Sequence, residues 1–207
     1  MADTQTGIAM LDRTEKSDLS PDGRRLRSER SRKCIVDALI SLIRDREILP
    51  SAERVSEAAN VGLRTVFRHF EDMDSLYQEV ADHIDAQIRP LIDKPFASTD
   101  WREQVREMID RRAEVFEYVM PFKVQSNARL LQSDYLQEKH RCAVESDMAR
   151  LCSVVPPELR QDEVLYTALS AAISFDVWHR LRKDQHKTPD EAKQAMQRMV
   201  KALLAAA

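Results

Sequence analysis

Only three glycines occur in 207 residues. All-β folds need glycine at their tight turns, and phosphate loops need it for close backbone approach, so neither architecture is expected. Cysteine is scarce as well. Cys34, Cys142 and Cys152 are odd in number and form no CxxC pair, which indicates neither a disulfide framework nor a zinc site. The five histidines never fall four residues apart, so the commonest helical metal pattern is missing. No run approaches ~18 apolar residues, and no apolar leader is evident. GxSxG and glycine-rich phosphate motifs are absent too. The expectation is a soluble cytoplasmic protein without metal, cofactor or membrane, and not an enzyme.

Charge is present but unevenly placed. Residues 21–70 hold eleven Lys/Arg against seven acids, net +4, so the remainder of a −3 chain carries −7. A basic N-terminal quarter on an acidic body suits nucleic-acid binding at one end. At 23.9 kDa, one or two domains and a sizeable core are expected.

The informative stretch is Ser51 to Phe70, SAERVSEAANVGLRTVFRHF. Ser51 can cap a short helix by accepting a free first-turn N–H. Val55, Ala58 and Ala59 give that helix a small apolar face. Asn60-Val61-Gly62 then reverses the chain, since Asn and Gly tolerate left-handed backbone. Leu63 to His69 starts a second helix, with Val66 and Phe70 facing inward. Arg64, Thr65, Arg68 and His69 remain on the outer face, which carries no acid. Two small helices joined by a tight turn make a helix-turn-helix. The bland alternative is a helical hairpin with a solvated face, but such faces are usually mixed in sign. Arginines can reach phosphates and bond a guanine edge bidentately.

Ala59 to Phe70 resembles the central signature of the TetR family of transcriptional repressors. Ala59, Val61, Thr65, Arg68, His69 and Phe70 fit that signature. Asn60 stands where Gly is usual, Gly62 where Ser or Thr caps the second helix, and Phe67 where Tyr is usual. The resemblance implies an all-α fold: an N-terminal three-helix helix-turn-helix unit plus a C-terminal helical ligand-binding and dimerisation domain. It implies a homodimer on a palindromic double-stranded operator, released by a small-molecule effector, and nucleoid association when bound to DNA. Ser51, Gly62, Leu63, Arg64, Thr65, Phe67, Arg68 and His69, with Arg30 and Lys33 from the segment before, are the expected DNA-binding residues.

The organisation expected is a disordered basic arm over 1–27, the helix-turn-helix unit over 28–71, and the ligand and dimer domain over 72–207. About nine helices are expected. The first runs from about Ser28 to Arg46, its stripe being Ile35, Leu39, Leu42 and Ile43. Asp72 caps the fourth, near whose end Pro90 removes a donor. Asp100 caps the fifth; Pro121 starts a short sixth and Ser133 a seventh. Pro156-Pro157 opens an eighth through about Lys183, apolar nearly all round. Thr188-Pro189-Asp190-Glu191 opens the ninth. A helix with no polar face is buried on both sides, so helices eight and nine are expected to form half of an intermolecular bundle.

Arg112 and Asp176 project from apolar faces, and a buried charge needs a partner. They pair with each other or a neighbour, reach the rim, or line a cavity for a largely apolar effector. Phe116, Phe122, Asn127, Tyr135 and His179 join them as candidate ligand residues, with His140 and Trp178. The competing function is a helical small-molecule-binding protein, or a hydrolase using Asp176 and His179, with no DNA affinity. That Asp–His pair, three residues apart, lacks a nucleophile beside it.

Overall fold

The computed structural model describes residues 21–205, which form ten α-helices with no strand among them. The expected tail over residues 1–20 lies outside the described residues. In chain order the helices are α1 Pro21–Arg44, α2 Ala52–Ala58, α3 Leu63–His69, α4 Met73–Ile92 and α5 Trp101–Arg129. They continue as α6 Asp134–Val154, α7 Pro157–Gln161, α8 Glu163–Ala172, α9 Phe175–His179 and α10 Pro189–Ala205. A 3₁₀ turn, Leu130–Gln132, joins α5 to α6, and a π-helical segment, Arg180–Asp184, extends α9.

Local chemistry accounts for most helix starts. The Asp72 carboxylate accepts the Ser75 N–H at 2.8 Å while the Ser75 hydroxyl accepts the Asp72 N–H at 3.3 Å. Thr188 and Glu191 exchange the same reciprocal bonds ahead of α10. Asp100, Ser133, Asp162 and Ser174 each cap the helix that follows.

Three boundaries differ from expectation. α1 begins at Pro21, so residues 21–27 continue the helix instead of forming an arm. α5 runs unbroken through Pro121. An interior proline costs about 3 kcal/mol, but Val119, Met120 and Gln125 on either side are all buried and hold both halves in place. The expected eighth helix is instead α7, α8, α9 and the π-helical segment. The break between α8 and α9 falls at Ile173 and Ser174, where Ser174 Oγ accepts the Val177 N–H at 3.3 Å. That leaves the Ile173 carbonyl free to accept from Arg112 Nη1 at 2.8 Å.

α1, α2 and α3 pack together around Ile35, Leu39, Val55, Val66 and Phe70, all at most 2% exposed. α5 is the central strut, touching α1, α4, α6, α9 and α10. Trp178 lies fully buried beside Phe116, and its indole N–H donates to Glu117 Oε1 at 2.9 Å. α8 and α10 pack on each other. On the far side of α8, Val164, Thr167 and Ala171 form an exposed stripe; Val164 is 81% exposed.

Candidate nucleic-acid interface and the cleft behind it

The turn between α2 and α3 follows from its residues. Ser51 Oγ accepts the Arg54 N–H at 3.3 Å, and Asn60 adopts a left-handed φ of 52°. Gly62 precedes α3 with an extended backbone and offers no side-chain cap. Val66 and Phe70 anchor α3 inward, at 1% and 2% exposure. Leu63, Arg64, Phe67 and Arg68 therefore face outward, and Thr65 is half-buried. Neither Arg64 nor Arg68 has an ion pair or hydrogen bond among the described residues, so both guanidiniums keep all their donors.

His69 departs from expectation. Its Nε2 is buried without a hydrogen-bond partner, whereas Arg68 beside it is exposed. Burial lowers its pKa, and neighbouring Arg68 and Arg32 lower it further, while Glu79 raises it. The neutral ring fits that setting.

Arg32, on α1, fixes the end of α3. Its Nη1 donates to the His69 carbonyl at 2.6 Å, and its guanidinium lies 4.3 Å from the Phe70 ring centroid. The same group grips both carboxylate oxygens of Glu79 on α4. One side chain thus joins α1, α3 and α4. From Arg32, α1 extends about three turns further toward its N-terminus. There Arg24, Arg25, Arg27 and Arg30 are exposed. Arg25 pairs with Glu29 at 3.0 Å, and Lys33 with Asp37 at 3.7 Å.

A second contact runs from α5 to the loop after α1. Gln125, 4% exposed, accepts the Leu49 N–H at 2.8 Å and donates to the Glu47 carbonyl at 2.7 Å. Arg129, one helical turn on, pairs with Asp74 at the start of α4 and covers the Tyr77 ring at 4.5 Å. The Tyr77 hydroxyl is buried without a partner; burial, with Glu47 nearby, pushes its pKa to about 12.

Toward its N-terminal half, α5 borders a cleft of about 310 Å³. The other walls are the end of α4, the connector over 93–96, and α6. Met108, Val115 and Phe116 supply apolar surface; Arg111, Arg112 and Arg150 supply charge. Arg112 is buried, donating to the Ile173 carbonyl and pairing with Asp147 at 3.2 Å.

No protein-family model matches the sequence, and no curated protein matches it. A solved structure does. The match is a protein from a Rhodococcus species, provisionally assigned as a TetR-family transcriptional regulator. The TM-score is 0.64 at 13% identity, over 84% of this chain and 98% of that one. The fold is therefore of the TetR-regulator type.

Within that fold the sequence-derived ligand candidates separate. Arg112 and Phe116 line the cleft. Phe122, Asn127, Tyr135, Asp176 and His179 are not among its lining residues. Asp176, expected on an inward face, is exposed, because the break at Ile173–Ser174 shifts the helical phase of everything after it. Of the alternatives open for Arg112, pairing with a neighbouring charge is the one present, and the partner is Asp147. Asn127 is exposed as well. Phe122 stacks obliquely beside Tyr118 near Arg44. Tyr135 lies under Lys139, and His179 lies 5.9 Å from Phe175. No hydrogen bond joins Asp176 to His179 among the described residues. His140 Nδ1 instead meets Lys123 Nζ at 3.3 Å.

Sequence reasoning missed Arg32, Gln125, Arg111 and Arg150. The Arg111-Arg112 pair beside an apolar stripe was the available signal for the cleft. Gln125 and Arg32 carried none, since their partners lie 76 and 47 residues away. Among the described residues no helix is long and apolar enough to cross a membrane, and no three or more His, Cys, Asp or Glu side chains cluster as metal ligands would.

Proposed function

We propose that this protein is a DNA-binding transcriptional regulator, acting as a homodimer and released from a palindromic operator by a small molecule. The observation that carries the reading is the pair Arg64 and Arg68, exposed and unpaired on the second helix of a helix-turn-helix. Cations held in place with no internal partner are suited to phosphates and base edges. α3 would lie in a major groove, with Ser51 and Thr65 toward the backbone. Phe67, 48% exposed, would contribute contact area without a hydroxyl. The arginines of the first turns of α1 would meet phosphates.

The unit for DNA reading would comprise α1 to α3, and the rest of the chain would bind effector and partner. Two copies would meet through the outer stripe of α8 and through α10, where Ala195 and Ala202 permit close approach. α5 supplies a route between the two functions. It walls the cleft at Met108 to Phe116, passes Pro121, and holds the loop after α1 through Gln125. An effector that fits the cleft in only one helix arrangement would shift the population toward that arrangement and away from operator spacing.

Selection of bound sequences from random duplexes, followed by a salt titration, tests the proposal. A two-fold-symmetric site with half-sites about one helical turn apart is expected, with affinity falling steeply as salt rises. No enriched sequence and no salt dependence would leave a helical ligand-binding protein as the better reading.

A further inference from the structure

The charges around the cleft are out of balance with its apolar walls. Lys94, Arg111, Arg112 and Arg150 line it, against Asp93 and Asp147. Arg150 takes Asp93 at 3.1 Å and also donates to the Ile92 carbonyl at 3.1 Å. Arg112 takes Asp147 at 3.2 Å. Arg111 pairs with Glu107, which is not a lining residue, and otherwise donates to the Lys94 and Pro95 carbonyls. Lys94 is exposed and has no ion pair among the described residues.

Arg112 is the most deeply buried of the four, 7% exposed. Its donors reach the Ile173 carbonyl, the Asp147 carbonyl and the Asp147 carboxylate, whereas its Nε–H makes no bond. A guanidinium carries five N–H donors in a fixed fork, so some are left over in a residue that borders open space. Burial lowers its pKa, Asp147 raises it, and Arg150 lowers it again as a like charge. A bound anion would relieve both the poor solvation and the repulsion.

We propose that the cleft takes a small organic acid, with its carboxylate on Arg112 and Arg150 and its apolar body against Met108, Val115 and Phe116. A monoanion suits the site better than a phosphate ester, because Asp93 and Asp147 would repel a second charge. The volume lies at the low end of the ~300–1,000 Å³ usual for small-molecule sites, which favours a compact body. The inference rests on the regulator reading only for its consequence. Arg112 also holds the Ile173 carbonyl at the α8–α9 junction, so a carboxylate drawing on this guanidinium would be felt at the helices proposed to pair in the dimer.

Calorimetric titration of the full chain with phenylacetate and hexanoate, against phenylacetamide and hexanamide, tests this directly. The acids should bind at least about tenfold more tightly than the amides, the ratio for one charge-assisted bond. Arg150→Gln and Lys94→Gln should each weaken acid binding by a larger factor than amide binding, so that the acid–amide ratio falls. Arg112→Gln should abolish the preference; if that variant does not fold, the other two and the acid–amide ratio decide. Equal affinity for acid and amide, or no binding of either acid at low millimolar concentration, would overturn the proposal. Acid binding by a protein that ignores DNA would sink the regulator reading and leave this one standing. DNA binding by a protein that takes no acid would do the reverse.

Discussion

Gln125 holds Leu49 in a left-handed conformation. The Leu49 φ is 51°, and its N–H donates to Gln125 Oε1 at 2.8 Å, while Gln125 Nε2 donates to the Glu47 carbonyl at 2.7 Å. A branched residue in this region is strained by roughly 1–3 kcal/mol and persists only where its surroundings fix it. One amide thereby sets the loop that leads from α1 into the helix-turn-helix.

Gln125→Leu should accordingly destabilise the protein by about 2 kcal/mol or more, because both backbone groups lose their partner in a half-buried setting. DNA affinity should fall beyond what the lost stability explains, since α2 would no longer be held in register. Thermal melts and duplex titrations of the variant check this. A melting temperature equal to that of the unaltered protein would show that the loop holds itself.

Arg68 should behave in the opposite way. It is exposed and makes no internal bond, so Arg68→Ala should leave thermal stability within about 0.5 kcal/mol. Operator affinity should drop by about 1–3 kcal/mol for one lost bidentate base contact. Affinity within error of the unaltered protein would remove Arg68 from the interface.

Gly62 offers a gain. Its φ is −71°, which any residue adopts, and an added Cβ would meet nothing nearer than Thr65 Oγ1 at 4.0 Å. Gly62→Ser should cap α3 and restrict the unfolded chain, stabilising by about 0.5–1 kcal/mol. Denaturant midpoints measure it. A lower midpoint would mean that the turn needs glycine for a reason the geometry does not contain.

The His69 ring predicts a pH dependence of stability. Its pKa in the folded protein is lowered by burial, with Arg68 and Arg32 adding to the effect and Glu79 opposing it. The unfolded chain therefore binds more protons just below the ordinary histidine value of 6.5. Stability from the neutral ring is complete above that value and is lost as pH falls through it. His69→Gln should lose less melting temperature than the unaltered protein between about pH 8 and pH 5. Parallel curves for the two proteins would refute the assignment.

The dimer prediction concerns Ala171, on the exposed stripe of α8. Ala171→Glu would bring two carboxylates together across a two-fold axis and desolvate them, costing several kcal/mol of association. A folded monomer with most of its operator affinity gone is expected from sedimentation and duplex titration. A variant that stays dimeric would place the interface on another face, and an unaltered protein that sediments as a monomer at micromolar concentration would end the dimer proposal.

What the sequence determined by itself was local. Serine and aspartate caps, the Asn60 reversal and the spacing of Val66 and Phe70 act over four or five residues. They sufficed for an all-helical chain, the helix-turn-helix and the outward arginines on α3. The tertiary structure decided whatever depended on distant partners. Pro121 does not end its helix because burial on both sides outweighs the lost bond. Asp176 turns outward because Ile173 and Ser174 break the helix before it, and that break is held by Arg112, 61 residues earlier. The cleft exists only where α4, α5 and α6 converge, so Arg111 and Arg150 read as ordinary surface charges until those helices are packed. A periodic pattern states which face of a helix is apolar; only packing states what that face meets.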